Sequence, residues 1–380
     1  MKFTAEHEAF RATVRRFIDE RVNPHADEWE RDEMMPLHNL FTEMAELGML
    51  GLEYDPAFGG QGADHSYTVV LAEEMGRCAI GAFGLALGVQ ISMATPSLHA
   101  HGSDELKAAY LAPAMRGDMV AAIGVTEPDA GSDVAGIRTR ARRDGDDWVI
   151  NGTKMYITNG IQADWICVLA RTSDEGGYRG MSQIIVPADT PGFKAEKLDK
   201  LGMRASDTAL LTFDNVRVPV GNTIGEIGRG FQQQMVQFVV ERTWGVYNVH
   251  VACTEALERT KAYALQRKVF GAPLAANQYL QYTYAELAAK VDLLREYGYA
   301  MVDAHMAGQN ITRMATIAKL EACRLIRQVG DWCLQVHGGI GYMEETWTSR
   351  FVRDQRLPSI GGGADEVMLR VLSQIDGFTA

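Results

Sequence analysis

Five cysteines in 380 residues, none in a CxxC pair, leave little for a disulfide framework or a thiolate zinc site. Cys78, Cys167, Cys253, Cys323 and Cys333 are expected to be buried or idle thiols. Positive charge is also short. Lys and Arg number 37 against 49 Asp and Glu, a formal charge of −12, and no basic cluster occurs, which excludes an ordinary nucleic-acid binder. Continuous apolar runs are missing too. The longest uncharged stretch, Ala79 to Gly102, is broken by Gly81, Gly84, Gly88, Gln90, Ser92, Pro96 and Ser97, which predicts buried helix and loop rather than a membrane span. The first twenty residues mix acids with bases around no apolar core, unlike a secretory signal or an acid-poor transit peptide, so a cytoplasmic location is the expectation. Common cofactor and hydrolase signatures are absent: there is no GxGxxG, GxxxxGK[ST], HExxH or GxSxG. His99 and His101 form a lone HxH, and no metal site is expected there.

What is present is an ordinary globular composition, 47% hydrophobic and 23% charged, in a chain long enough for two or three domains. Phe10, Val14, Phe17 and Ile18, then Leu37, Leu40, Phe41, Met44 and Leu47, recur at helical spacing, with Pro24 and Pro36 as punctuation. From about Ala121 the signals become those of strands. Trp148 and Ile150 lead into Asn151-Gly152, read as a hairpin turn rather than a glycosylation acceptor, and Asn159-Gly160 marks a second turn. Short apolar runs continue to about residue 225. Beyond Gly230 the segments near 231–267, 278–307 and 311–336 carry few breakers and suit an antiparallel bundle, with a last helix after Gly361-Gly362-Gly363. The order is helices, β domain, helices.

The most informative string is Val125-Thr126-Glu127-Pro128-Asp129-Ala130-Gly131-Ser132-Asp133. Small residues and hydroxyls in a turn offer donors to an acceptor-rich ligand such as a flavin edge or a phosphate. Tyr156-Ile157-Thr158-Asn159-Gly160 follows, then Arg267-Lys268-Val269-Phe270-Gly271 with Asn277-Gln278, and Gln335-Val336-His337-Gly338-Gly339. In these strings and their order the chain resembles the acyl-CoA dehydrogenase flavoproteins along essentially its whole length, and within them the isovaleryl, long-chain and citronellyl branches. The resemblance implies an α+β multidomain fold: an N-terminal helical domain (1–118), a central β barrel (119–228) and a C-terminal four-helix bundle (229–380). It implies FAD as cofactor. Ile123, Val125, Thr126, Gly131, Ser132, Tyr156, Ile157 and Thr158 would hold the ring system. Arg267, Phe270, Gln278, Gln335, Val336, Gly338 and Gly339 would reach the FAD of a neighbouring subunit in a homotetramer. It also implies an acyl-CoA substrate, electron-transfer flavoprotein as acceptor, and a trans-2-enoyl-CoA product.

One position departs from the family. The usual base is a Glu in a Y-E-G-T string, and Gly362 of Ser359-Ile360-Gly361-Gly362-Gly363-Ala364 stands in its place. In the isovaleryl and long-chain branch the base sits on a helix just before an Arg, and Glu241-Arg242 matches that pattern. Phe238 and Trp244, three residues to either side of Glu241, share its helix face, so burial should raise its pKa towards working pH, while Arg242 leaves the net direction open. Asp365 and Glu366 are rival bases, though their spacing suits the N-cap and first turn of the last helix. Gly362 retains a main-chain N–H for the thioester oxygen, and Ser132 and Arg242 would help hold the CoA ester. The three glycines widen the site for a bulky or branched acyl chain, possible substrates including citronellyl-CoA. Alternatives are an acyl-CoA oxidase or flavin monooxygenase relative, and a non-catalytic FAD or CoA-binding protein.

Overall fold

The computed structural model describes residues 1–378. Its N-terminal region is helical: α1 (Ala5–Phe17), α2 (Ala26–Asp32), α3 (Leu37–Glu46), α4 (His65–Met75), α5 (Gly81–Gly88), α6 (Pro96–His101) and the short α7 (Asp104–Leu106) and α8 (Ala112–Met115). Thr4 caps α1 by a reciprocal exchange with His7, and Asp64 caps α4. The stretch Gly81–His101 has the length and composition to cross a membrane, yet 72% of its most apolar window lies inside the protein. It is a core element, in keeping with the breakers in its sequence.

The central region forms a seven-stranded sheet made of β1 (Ala121–Gly124), β2 (Arg140–Asp144), β3 (Asp147–Thr158), β4 (Trp165–Arg171), β5 (Met181–Pro187), β6 (Phe193–Lys197) and β7 (Thr208–Pro219). Strand order is β1-β4-β2-β3-β7-β6, with β5 antiparallel on β4. Asn151-Gly152 is not the expected turn. β3 runs straight through it, and the chain reverses instead at Gly145 (φ +64°), between Asp144 and Asp147. Pairing of β3 with β7 overrides the local Asn-Gly preference and converts it to a bulge, where the Asn215 N–H donates to Asn151 Oδ1 at 2.9 Å. A second irregularity follows between Lys154 and Ile157, with Tyr156 at φ +63°.

The C-terminal region holds α9 (Gly230–Gln266), the hairpin β8 (Lys268–Val269) and β9 (Ala272–Pro273), α10 (Gln278–Met306), α11 (Thr312–His337), α12 (Trp347–Asp354) and α13 (Asp365–Ile375). α9 is the seam of the molecule. Gln234 Oε1 accepts from Gln183 of β5 at 2.9 Å, Gln237 Oε1 accepts from Ser97 of α6 at 2.6 Å, and Trp244 Nε1 donates to the Gly84 carbonyl of α5 at 3.0 Å. Gly88 belongs to the same contact, because a Cβ there would lie 2.6 Å from Trp244 Nε1.

Asp354, at the end of α12, ties the three regions together. Its buried carboxylate accepts from the Gly81 N–H at 3.0 Å and from the Met203 N–H at 2.5 Å. Asp354→Ala strands two buried donors and is expected to lower stability by about 2–4 kcal/mol, read as a lower urea midpoint.

Candidate active site

Glu241 lies near the start of α9, half-buried. Phe238, one turn earlier, packs into a small apolar cluster with Val125, Ala130 and Met181, which sets this end of α9 against the 125–132 loop. Trp244, one turn later, packs into the N-terminal core. A Cβ built on Gly362 would lie 3.5 Å from Glu241 Oε1, so the carboxylate stands directly beside the position that lacks a side chain. Gly362 has φ +63° and Gly363 φ +94°, a backbone path that favours glycine. Burial pushes the Glu241 pKa up to about 7, against the opposing pull of Arg242 and Lys319. Between burial and Arg242, which the sequence left balanced, burial prevails. Arg242 is itself desolvated, and its buried Nε has no hydrogen-bond partner among the described residues. The rivals sit differently. Ala364, not an acidic residue, is the N-cap of α13. Asp365 is buried and accepts from Arg327 at 3.0 Å, while Glu366 is exposed.

The 125–132 loop is held from beneath by an ion pair that sequence reading missed. Lys154 is fully buried, and its Nζ lies 2.9 Å from both Glu127 Oε1 and the Val125 carbonyl. Glu127 also accepts the Arg138 and Thr139 N–H groups at 2.6 and 2.9 Å. Burial lowers the Lys154 pKa to about 8, whereas Lys154 and the two N–H groups hold Glu127 below its usual range despite burial. Among the described residues the N–H groups of Gly131 and Ser132 make no backbone hydrogen bond, and both residues are exposed. Tyr156 is 64% exposed, Ile157 is buried and Thr158 is half-buried on the adjoining strand; Ile123 is half-buried on β1. Unpaired donors beside an exposed aromatic ring suit a planar, acceptor-rich cofactor.

The remaining predicted contacts lie elsewhere. Arg267 follows α9, 26 positions after Glu241, about 39 Å along one helix. Phe270, at φ +53° in the turn of the β8–β9 hairpin, is wholly exposed, and Gln278 opens α10 with its amide on Tyr282 at 2.5 Å. Gln335 is exposed and Val336 buried at the end of α11; Gly338 (φ +63°) closes that helix and Gly339 is open to solvent. One chain therefore does not gather both residue sets around one flavin ring. On the α9 flank carrying Val240, Thr243 and Trp244 lies a cavity of about 240 Å³, also lined by Glu53, His65, His99 and His305.

Three family models match in succession: the acyl-CoA dehydrogenase N-terminal domain over residues 4–118, the middle domain over 122–216 and the C-terminal domain over 228–375. The long-chain specific acyl-CoA dehydrogenase of Rattus norvegicus mitochondria is 35% identical over 98% of this chain and 86% of its own. This chain belongs to the acyl-CoA dehydrogenase family. The structure of acyl-CoA dehydrogenase from Geobacillus kaustophilus superposes with a TM-score of 0.95 at 35% identity, covering 98% of each chain. A glutaryl-CoA dehydrogenase from Mycobacterium smegmatis, solved in complex with FADH2, gives 0.92 at 31%, covering 100% of this chain and 96% of that one. Acyl-CoA dehydrogenases are oxidoreductases that bind FAD and dehydrogenate acyl-CoA, and the fold has the three domains that the sequence implied.

Lys154→Met leaves the Glu127 carboxylate buried without its cation. It is expected to cost about 3–5 kcal/mol and to lower the flavin-to-protein ratio of the purified enzyme, whereas adding Glu127→Gln restores some of both.

Proposed function

We propose that this acyl-CoA dehydrogenase oxidises the Cα–Cβ bond of a branched or medium- to long-chain acyl-CoA, citronellyl-CoA among the possible substrates, with Glu241 as the base. The observation that carries the reading is the position of Glu241 Oε1, 3.5 Å from where a Cβ on Gly362 would stand and the family's usual carboxylate would begin to project. A carboxyl titrating near 7 is a stronger base than an exposed Glu and is still ionised in good part at neutral pH.

In this mechanism Glu241 takes the α-proton onto its carboxylate. FAD, when bound, supplies the acceptor for the hydride that leaves Cβ, so the product is a trans-2-enoyl-CoA. The Gly362 N–H and the orphaned Nε of Arg242 would meet charge developing on the thioester oxygen. Ser132 assists in holding the ester, and Thr158 contacts the flavin ring along with Ile123, Val125, Thr126, Gly131, Tyr156 and Ile157. Glycines at 361–363 leave room beside the carboxylate for a chain branch. Arg267, Phe270, Gln278, Gln335, Val336, Gly338 and Gly339 serve a second copy, and the separation of about 39 Å between Arg267 and Glu241 supports that division. The working form is then a homo-oligomer, a tetramer by family habit. Electron-transfer flavoprotein would be the partner that takes up the electrons, and the enzyme works in the cytoplasm.

Anaerobic mixing with straight, branched and terpenoid acyl-CoA esters tests the reaction. Bleaching of oxidised flavin by one subset is expected; a bound flavin that no thioester bleaches would sink the dehydrogenase reading. Rapid peroxide formation by the reduced enzyme would instead identify an oxidase. Glu241→Gln should retain FAD and lose at least about 10³-fold in the rate of flavin reduction. Since the base must be deprotonated, that rate should fall about tenfold per pH unit below pH 7 and level off above it.

A further inference from the structure

We propose that Lys319 is a positioning residue of the proton-transfer site: by holding the Gly363 carbonyl it fixes the glycine loop so that Gly362 faces the Glu241 carboxylate. The inference rests on the reading of Glu241 as the base. Lys319 lies on α11, 6% exposed, and its Nζ donates to the Gly363 carbonyl oxygen. No carboxylate forms a salt bridge with it among the described residues, so a buried ammonium is committed chiefly to a main-chain oxygen. Such a group is desolvated, and its pKa is lowered accordingly.

The contact belongs to a series. Lys319, Cys323 and Arg327 recur every four residues, one face of α11, and each grips the segment that carries the glycines. Cys323 Sγ donates to the Pro358 carbonyl at 3.1 Å and Arg327 Nη2 donates to Asp365 Oδ2 at 3.0 Å. The Ser359 hydroxyl returns a bond to the Cys323 carbonyl at 3.4 Å. The two outer contacts anchor the ends of the loop, and Lys319 alone of the three bonds to the glycines themselves. Three successive glycines, two with positive φ, otherwise have the widest backbone freedom in the chain. Without the Lys319 bond the glycines are held only from their two ends, through Pro358 and Leu357 on one side and Asp365 on the other.

Lys319 also acts through its charge. The charged groups that act on Glu241 are Arg242 on its own helix and Lys319 on α11; Cys323 and Asp365 act in turn on Lys319, and Arg327 pairs with Asp365. Lys319 is one of the two cations that restrain the upward shift of the Glu241 pKa. A neutral residue at 319 therefore makes Glu241 titrate higher as well as loosening the loop. A purely structural lysine would change unfolding but not this titration.

The test is the pH dependence of anaerobic flavin reduction in the FAD-loaded enzyme. Lys319→Met should move the acid limb upward by about one pH unit, so that at pH 6 the rate falls about tenfold further than on the alkaline plateau. Lys319→Gln, which keeps a donor but no charge, should show the same limb shift with a plateau nearer wild type. Lys319→Arg should leave the limb in place. A limb unmoved in both neutral variants, with Glu241→Gln inactive, would overturn the proposal while leaving the base assignment standing. An active Glu241→Gln enzyme would instead remove the base assignment and this proposal with it. If neither neutral variant retains flavin, Lys319→Arg decides: a wild-type limb with a lowered plateau supports positioning, and a limb moved despite the retained charge overturns it.

Discussion

A single long helix has to satisfy partners in all three domains of this molecule, and the rest of the structure is arranged around that demand. α9 is 37 residues long and carries polar side chains where a surface helix would carry apolar ones. Gln234 is met from the sheet, Gln237 and Trp244 from the N-terminal helices, and His250 stands 3.2 Å from the buried Glu73. These are buried polar contacts that reach from one helix to the other two domains, so the three domains are held in one relative position. Glu241 sits in the middle of this fixed stripe. Its location is therefore decided by contacts on either side of it rather than by its own bonds.

Carrying a proton acceptor on such a helix divides the work of the site. The helix sets where the carboxylate is, and the loop that packs against it contributes only backbone. Two opposing effects fix the carboxyl's chemistry: burial raises its pKa, and the charges of Arg242 and Lys319 hold it down. Desolvation of the carboxylate is the largest of these effects, and the field of the two cations, one of them also bonded to a main-chain oxygen, only partly offsets it. The pair beneath the 125–132 loop resolves the other way. Glu127 has a cation at 2.9 Å and two N–H donors, enough to hold its pKa below the usual range although it is buried.

Much of this was legible in the sequence, and the features that were not share a cause. Long helices announced themselves by spacing and by the scarcity of breakers, and the boundaries of α9, α10 and α11 fall within a residue or so of those expected. The motif strings identified the family, and with it the fold. The Asn151-Gly152 turn failed because a local preference met a long strand partner: β7 continues the pairing on both sides, and the chain turns at Gly145 instead. The Lys154–Glu127 pair, the Asp354 clasp and the Lys319 contact join residues far apart in sequence, which no periodicity reports. Two did leave a trace. Lys154 is the one cation of β3 and faces inward with Trp148 and Ile150, and Lys319 interrupts an alanine-rich helix stripe of Ala315, Ala318 and Ala322.

The cysteines carry a last consequence. All five are free, four are buried, and burial raises the pKa of every one: Cys167 and Cys333 to about 12, Cys323 to about 11, and Cys78 and Cys253 well above the usual thiol range. Oxidants and alkylating agents attack the thiolate, and at neutral pH these side chains supply almost none. The protein's cysteine sulfur atoms are therefore poor targets for peroxide and for alkylating agents at neutral pH, a form of protection that comes from packing alone.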